Sequence, residues 1–382
     1  RMNNFVYQNP VKIIFGKGMI SELPNNIPQG SKVMMTYGGG SIKKNGIYDQ
    51  VVKALKGYEV IEFPGIEPNP RYETCMKAVE ICRAQGVNFL LAVGGGSVLD
   101  GTKFIALATF FPQGDPWEIL TKGKTSPKAL PIGCVMTLPA TGSEMNWNAV
   151  ISRNSTQEKL ALADPKTYPV FSILDPESTF TLPERQSING IVDTFVHVCE
   201  QYMTYPMNAP LQDRQAEAVL HTLIEVGPKV LKNPTDYDAR ANIMWAATHG
   251  LNLMIACGVT QDWATHMIGH EITALHGLDH AQTLACVQPA LFRHQIEAKR
   301  EKLTQYGIRL WGLSNGDIAS RAIDKTEEFY RSLGMKTKLH EYGVGPENFE
   351  KIGSRFAERG VKLGERQSIG KKEAIEILNL AL

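Results

Sequence analysis

The chain has 382 residues, of which 43% are hydrophobic and 21% are charged, and its formal net charge is +1. This length exceeds one average domain and suits two, each large enough to bury its own core. Because positive and negative charges balance, the chain has no strong field that would attract nucleic acid or an anionic membrane. Neither is therefore expected as a partner.

The six cysteines are scattered and form no C-x-x-C pair. In a chain of this length, that spacing is typical of reduced thiols rather than of a disulfide framework or a thiolate metal site. The N-terminal residues lack the apolar core of a signal peptide, and no run of about 18 apolar residues occurs. We therefore expect a cytoplasmic protein.

Short apolar runs alternate with helical patterns in the first half of the chain. A helix that starts at Arg71 is predicted to end at Gln85, with Gly86 as its C-terminal cap. Continuous apolar strands between such helices indicate a parallel sheet that is covered on both faces. Residues 1–181 are thus predicted to form an α/β domain of the nucleotide-binding, Rossmann-like type. Its predicted strands are 33–37, 59–63, 88–93, 134–138 and 170–174.

The pattern changes after Asp175-Pro176, where long helical periodicities replace the strand signals. Pro183 suits the first position of a helix, since the backbone N–H that it lacks would have no partner there. Residues 182–382 are thus predicted to form an all-helical second domain. Its predicted helices are 183–202, 213–226, 238–253, 264–275 and 317–333.

The predicted strand 88–93 runs directly into Gly94-Gly95-Gly96-Ser97, and a helical pattern follows. Glycines allow the backbone to approach a diphosphate closely, and the N–H groups of a first helical turn point at it. The segment lacks the G-x-G-x-x-G fingerprint of a standard Rossmann motif. It indicates a phosphate-binding turn, although a tight turn without a ligand would carry the same glycines.

A second glycine turn, Gly38-Gly39-Gly40-Ser41, follows strand 33–37 and precedes Lys43 and Lys44. NAD-specific sites often place an acidic residue after an early strand, where it binds the ribose 2′-hydroxyl and repels a 2′-phosphate. The glycines, serine and lysines found here favour NADP, unless the segment is an ordinary solvated turn. A third turn, 137–144, carries hydroxyl groups suited to ribose or nicotinamide contacts.

Carboxylate and imidazole side chains recur at helical spacing in the second half. Asp193 and His197 are four residues apart, as are His266 and His270, so each pair lies on one helix face. Four of the nine histidines fall within residues 266–280. A lone histidine of this kind is usually structural, but the combination predicts a divalent metal that polarises a substrate oxygen. The absence of thiolate ligands disfavours a structural zinc cage.

Four motifs occur in one order along the chain. They are Gly94-Gly95-Gly96-Ser97-x-x-Asp100, Thr137-x-Pro139-x-Thr141-Gly142-Ser143-Glu144, Asp193-x-x-x-His197, and His266-x-x-x-His270 followed by His280. Together they resemble the iron-containing (group III) alcohol dehydrogenases, above all the NADPH-dependent aldehyde reductases and butanol dehydrogenases. The resemblance runs from Phe5 to about residue 345 and implies a dehydroquinate synthase-like architecture. In it, the N-terminal domain is dinucleotide-binding, the helical domain binds the metal, and the active site lies between the two domains. It also implies a homodimer.

The resemblance implies a role for each matching residue. It implies that Fe²⁺ or Zn²⁺, between which the sequence does not decide, is held by Asp193, His197, His266 and His280. His270 would lie beside the nicotinamide and the substrate, where an imidazole can relay a proton, and it completes the predicted catalytic group. The implied NADP(H) contacts are Gly38, Gly39, Ser41, Gly95, Gly96, Ser97, Asp100, Thr137, Thr141 and Lys159.

The expected function is interconversion of primary alcohols and aldehydes by hydride transfer, with NADP and a metal as cofactors. One alternative is an NAD-linked, glycerol-type dehydrogenase, which the glycines at 38–41 disfavour. A dehydroquinate synthase-like lyase would need many Lys, Arg and Asn side chains near the metal motifs, and a regulator without turnover would not need intact motifs. Trp147 departs from the small residues usual in relatives, and its indole either narrows the substrate pocket or packs in the core. The particular alcohol or aldehyde stays open.

Overall fold

The structure is a computed structural model that describes all residues from Arg1 to Leu382. It contains an α/β unit, formed by Gln8–Pro183 and Pro234–Thr248, and a helical unit, formed by Arg1–Tyr7, Glu184–Asn233 and His249–Leu382. A single division after residue 181 would place Arg1–Tyr7 in the α/β domain and residues 234–248 in the helical domain. The structure places each of these segments in the other unit. Helical or strand periodicity shows what an element is, but not which core it packs against.

The α/β unit is built on a six-stranded sheet in the order β1-β8-β5-β4-β2-β3. All five neighbouring pairs are parallel, so the predicted parallel sheet is confirmed. The elements of this part of the chain are β1 Lys12–Phe15, β2 Lys32–Thr36, α1 Ser41–Lys44, α2 Ile47–Ala54, β3 Glu59–Phe63, α3 Tyr72–Gln85, β4 Phe89–Gly95, α4 Gly96–Ala108, α5 Glu118–Thr121, β5 Ile132–Leu138, β6 Asn148–Arg153, β7 Glu158–Ala163 and β8 Phe171–Leu174.

The sheet separates two apolar layers, as a parallel sheet buried on both faces requires. Successive side chains of β4 alternate between them: Leu90 and Ala92 join one layer, whereas Leu91 and Val93 join the other. This arrangement explains why β4 is a continuous apolar run in the sequence. Because β4 is an interior strand, its carboxyl end and the glycines that follow lie near the middle of the carboxyl-terminal end of the sheet.

Two strand features were not predicted from the sequence. The first is β1, which has only four residues and pairs with β8 at the edge of the sheet. The second is the antiparallel hairpin of β6 and β7. Its strands alternate buried with more exposed residues, and this weaker pattern lacks the apolar runs that mark the central strands.

The second half of the chain is helical, as predicted, and none of its helices combines the length and hydropathy needed to span a bilayer. Helix α8 contributes most of its length to the α/β unit, whereas the others belong to the helical unit. Helices α10, α11, α13 and α14 were not predicted. The bounds are α6 Glu184–Tyr202, α7 Pro210–Lys232, α8 Tyr237–Gly250, α9 Ala264–His276, α10 His280–His294, α11 Ile296–Trp311, α12 Ile318–Ser332, α13 Phe349–Glu358 and α14 Lys371–Ala381.

Candidate metal centre and nucleotide-binding face

Three helices of the helical unit supply the four predicted metal ligands. Asp193 and His197 lie one turn apart on α6, so both project from the same face. His266 lies in the first turn of α9, and His280 is the first residue of α10. Between these two helices the chain turns at Gly277, whose φ of 74° is a left-handed value that favours glycine.

The ligand atoms of these four residues all lie within 4.8 Å of one another. The Asp193 Oδ1 atom is 3.5 Å from His197 Nε2, 3.7 Å from His266 Nε2 and 3.2 Å from His280 Nε2. Three imidazoles therefore converge on one carboxylate oxygen. The side chain of His280 is 22% exposed, whereas the other three are buried, so His280 is the most solvent-accessible of the four.

The donor set fits a divalent metal ion. Asp193 Oδ1 and His266 Nε2 are buried, and neither forms a hydrogen bond. A buried polar atom without a partner costs about 1–3 kcal/mol, so such atoms usually mark a ligand or another functional requirement. One carboxylate with three imidazoles, and no thiolate, suits Fe²⁺ or Zn²⁺.

The electrostatics of the cluster also favour a cation. Burial opposes ionisation of Asp193, but the adjacent His197 and His280 outweigh it and hold its pKa well below the ordinary value. Burial likewise opposes protonation of His266, yet the neighbouring carboxylates of Asp193 and Glu200 raise its pKa to about 9. The cluster thus stabilises positive charge at its centre, which is what a divalent ion supplies.

His270 borders this cluster without belonging to the four-residue ligand group. It lies one turn after His266 on α9 and is 3% exposed. Its ring stacks on His280, with the ring centroids 5.3 Å apart and the planes at 25°. The structure thereby brings all five predicted catalytic side chains into one site.

In the α/β unit, the first glycine turn joins the central strand to a helix. Strand β4 ends at Gly95, and α4 begins at Gly96. A Cβ atom at Gly96 would overlap the side chain of Thr141, so only glycine allows these two predicted cofactor-binding residues to pack this closely. The Ser97 hydroxyl donates to the Pro68 carbonyl. The N–H groups in the first turn of a helix have no partner within that helix, so those of α4 can serve as donors for a phosphate.

Asp100, also predicted to contact the cofactor, lies in α4 with its carboxylate turned inward. Its Oδ1 accepts a hydrogen bond from Ser143 Oγ at 2.7 Å, and its Oδ2 accepts one from the Val150 backbone N–H at 3.0 Å. Burial raises the pKa of Asp100 to about 6. The residue therefore ties α4 to the hydroxyl-rich turn that follows β5.

Lys103 provides a further support that the sequence analysis missed. Its ammonium is fully buried and donates to the carbonyls of Ser143 at 2.8 Å, Asn146 at 3.0 Å and Asn148 at 2.9 Å. Burial lowers the pKa of Lys103 to about 8. The only sequence signal was its position three residues after Asp100 on the same predicted helix face.

The second glycine turn, Gly38 to Ser41, follows β2 and leads into α1. Gly40 has a left-handed φ of 99°, a conformation that favours glycine. A Cβ atom placed at Gly39 would meet no atom within 4 Å. The Lys43 ammonium lies nearby, 5.0 Å from the centre of the Tyr48 ring. This turn is therefore open at Gly39 and carries positive charge on its helical side.

The remaining predicted cofactor residues lie at or just after the carboxyl end of β5, or in the hairpin of β6 and β7. Thr137 is the next-to-last residue of β5, and the Thr141 hydroxyl accepts a hydrogen bond from the Ser143 N–H at 3.1 Å. Lys159 lies in β7 and is 5% exposed. Its ammonium donates to Asn69 Oδ1 at 2.9 Å, which fixes the lysine beside the loop that precedes α3.

Trp147, the departure noted in the sequence, lies in the loop just before β6. Its indole stacks on the Tyr168 ring, with the centroids 5.8 Å apart and the planes at 26°. Its backbone carbonyl accepts hydrogen bonds from Asp164 and Thr167. The stack on Tyr168 therefore places the indole against another side chain of the α/β unit.

Two family models match the chain. Residues 10–176 match the model described as iron-containing alcohol dehydrogenase, and residues 187–382 match the C-terminal model of the Fe-containing alcohol dehydrogenase family. The chain belongs to the iron-containing alcohol dehydrogenase family. Membership confirms the resemblance inferred from the motifs, and it removes support from the lyase alternative.

Individual members of this family cover nearly the whole chain. The NADPH-dependent aldehyde reductase YqhD of Escherichia coli is 55% identical, over 96% of this chain and 97% of that protein. The NADP-dependent alcohol dehydrogenase 3 of Entamoeba histolytica is 45% identical, over 99% of each chain. The crystal structure of NADH-dependent butanol dehydrogenase A from Thermotoga maritima has a TM-score of 0.95 at 36% identity, over 100% of this chain and 99% of the other.

Proposed function

We propose that this chain is an NADP(H)- and metal-dependent alcohol dehydrogenase that reduces aldehydes to primary alcohols and catalyses the reverse reaction. The observation that carries the proposal is the convergence of Asp193, His197, His266 and His280 within 4.8 Å. The names of the E. coli and Entamoeba relatives agree with this activity. Reduction adds a hydride to the carbonyl carbon and a proton to its oxygen, so one NADPH and one proton are consumed for each alcohol formed.

The four converging residues are the proposed ligands of Fe²⁺ or Zn²⁺. When bound, the metal supplies Lewis-acid polarisation of the substrate oxygen, and NADPH supplies the hydride. The task of Asp193, His197 and His266 is to hold the ion in a buried site, where solvent screens charge least. His280, which is partly exposed, forms the side of the site open to substrate.

We propose His270 as the residue that delivers the proton to the product oxygen. Its imidazole is buried beside His280, and imidazole is the side chain best suited to exchange protons near neutral pH. His270 lies outside the ligand group, so replacing it should lower turnover while the protein keeps its metal. Metal analysis of His270→Ala next to its turnover number separates this role from that of a ligand.

The glycine turns are the proposed dinucleotide site. The first turn of α4, with Gly95, Gly96 and Ser97, is proposed to bind the diphosphate through backbone N–H groups. The preference for NADP rests on the turn from Gly38 to Ser41, which offers space and a nearby lysine where an acidic residue would repel a 2′-phosphate. Cofactor use varies among the relatives, since the T. maritima protein is named as NADH-dependent.

We further propose a homodimer that works in the cytoplasm. The family resemblance supports the dimer, and all six cysteines are free thiols, as is usual in a reducing compartment. Light scattering on the eluate of a size-exclusion column measures the assembly, and a monomeric mass at working concentration would contradict the dimer.

A spectrophotometric assay tests the proposed reaction. The purified protein, supplied with Fe²⁺ or Zn²⁺, should oxidise NADPH in the presence of butanal and should use NADH less efficiently. A panel of aldehydes of increasing chain length then defines the substrate class. If no aldehyde in the panel supports oxidation of either dinucleotide, with either metal present, the proposed function is wrong.

A further inference from the structure

One face of α6 carries more than the two metal ligands. Arg185, Asn189, Asp193 and His197 follow one another at intervals of four residues, and Glu200 follows three residues later. Residues spaced by three or four lie on the same side of a helix. The two ligands therefore lie in the middle of a polar stripe, with Arg185 and Asn189 at one end and Glu200 at the other.

Glu200 contacts the metal-binding histidine of α9. It is 3% exposed, and its Oε2 atom lies 2.9 Å from His266 Nδ1 and accepts a hydrogen bond from the His266 backbone N–H at 3.0 Å. One carboxylate oxygen thus holds both the ring and the backbone of His266. With Nδ1 turned to Glu200, the other ring nitrogen, Nε2, is turned to Asp193.

The segment that precedes α9 is fixed to Glu200 as well. The Asp262 N–H donates to the Glu200 carbonyl at 2.8 Å, and Asp262 Oδ1 accepts from the Ala264 N–H at 3.0 Å. The buried ammonium of Lys299 binds Asp262 Oδ2 at 2.9 Å and the Glu365 carboxylate at 3.0 Å. The start of α9 is therefore held by several buried, mutually supporting contacts.

The other end of the stripe contacts the residue next to His280. Asp279 caps the N-terminus of α10 and accepts two hydrogen bonds from Arg185, at 2.6 and 2.7 Å. It also accepts one from Asn189 Nδ2 at 3.0 Å. The side chain of Arg185 is 68% exposed, so solvent weakens this ion pair far more than it weakens the buried contact at Glu200.

We propose that this face of α6 is a template for the metal centre, in which Glu200 positions His266, and Arg185 and Asn189 position His280 through Asp279. Histidine ligands commonly donate their second ring N–H to a carboxylate that fixes the ring and makes the ligand more basic, and loss of such a partner costs about 10- to 100-fold in metal affinity. The inference rests on the metal role proposed above. It assigns no direct contact with the substrate to Glu200, which is a positioning residue.

The test compares the metal affinities of two variants, in each of which one buried glutamate is replaced by glutamine. Glu200→Gln keeps the size of the side chain but removes its charge, and Zn²⁺ affinity measured by competition with a chromophoric chelator should fall by about 10- to 100-fold. Turnover should recover when Zn²⁺ is raised to saturation. The matched control is Glu217→Gln on α7, because Glu217 is also buried but accepts from the Tyr202 hydroxyl and contacts no ligand. Its Zn²⁺ affinity should equal that of the wild type.

Asn189→Ala gives a second, independent measurement at the end of the stripe that contacts Asp279, where the effect should be smaller. It should lower Zn²⁺ affinity by less than tenfold and shift the visible absorption of the Co²⁺-substituted protein, because the His280 ring is less well fixed. If Glu200→Gln does not fold, this spectrum decides the question. A spectrum and affinity identical to those of the wild type would overturn the proposal.

Two further outcomes also contradict the template. Wild-type affinity in Glu200→Gln would show that Glu200 does not position His266, and an equal loss in Glu217→Gln would show a general effect of removing buried charge. If the wild-type protein itself binds no divalent metal, the proposed function is wrong. If the wild type binds metal, but no more tightly than Glu200→Gln, only the template is wrong.

Discussion

The metal centre and the proposed nucleotide-binding face, which consists of the glycine turns after β2 and β4 and the turn after β5, use opposite means to prepare a binding site. In the metal centre the working groups are side-chain atoms, and Asp193 Oδ1 and His266 Nε2 are buried without a hydrogen bond. On the nucleotide-binding face the buried carboxylate of Asp100 is satisfied at both oxygens by the protein itself. The proposed working groups there are backbone N–H groups and the space that glycines leave.

This difference indicates how each region should respond to substitution. A site built from side chains loses its chemistry when one of them is removed. A site that relies on backbone N–H groups and on the space beside glycines is damaged instead when a glycine gains a side chain. The size of this effect depends on which atoms surround that glycine. Single substitutions in the two regions test this contrast.

Removal of one ligand should have the largest effect. His266→Ala should lower kcat/KM for butanal by about 10³-fold or more, because the ion that polarises the substrate oxygen is lost or displaced. NADPH affinity, measured by fluorescence titration, should stay close to that of the wild type. His294→Ala is the control, since His294 lies on α10 but contacts Glu376 rather than the cluster. Full activity in metal-depleted His266→Ala would contradict the assignment.

Addition of one methyl group at the first glycine turn should have an intermediate effect. In Gly96→Ala the new Cβ overlaps Thr141, and such overpacking costs about 1–3 kcal/mol. NADPH affinity should fall by about 5- to 150-fold if the whole cost appears in binding, while bound metal stays the same. Gly39→Ala, where the new atom meets nothing within 4 Å, should bind NADPH like the wild type. Equal losses in the two variants would show that the atoms around each glycine do not determine the effect of an added side chain.

A carboxylate at the second glycine turn should have the smallest effect on overall catalysis but should change cofactor choice. In Gly39→Asp, repulsion of a 2′-phosphate across solvent amounts to on the order of 1 kcal/mol, or about fivefold in kcat/KM for NADPH. NADH, which lacks this phosphate, should be used at least as well as before. The ratio of the two kcat/KM values measures the change, and an unaltered ratio would place the 2′-phosphate elsewhere.

The sequence was a good guide where a feature depends on local spacing. The four-residue intervals between Asp193 and His197, and between His266 and His270, predicted shared helix faces that the structure contains. The apolar run of β4 predicted a central parallel strand. In both cases the signal lies within one element, so the helical or strand period is enough to find it.

Features that depend on contacts between distant segments could not be predicted. Lys103 and Glu200 look like ordinary charged residues of helices, and only the fold shows that they are buried against carbonyl groups and against His266. Similarly, no spacing rule brings Gly96 against Thr141. The unit to which Arg1–Tyr7 and residues 234–248 belong could not be predicted either, because it depends on which core each segment packs against.

The catalytic role of the metal centre can be tested by removing the metal and then adding it back. The wild-type protein is treated with a chelator, its metal content is measured, and NADPH-dependent reduction of butanal and NADPH binding are followed in the same sample. We predict that activity falls by at least about 10²-fold, that NADPH still binds, and that Fe²⁺ or Zn²⁺ restores turnover. Full activity in protein shown to be free of metal would contradict a catalytic role for the cluster of Asp193, His197, His266 and His280.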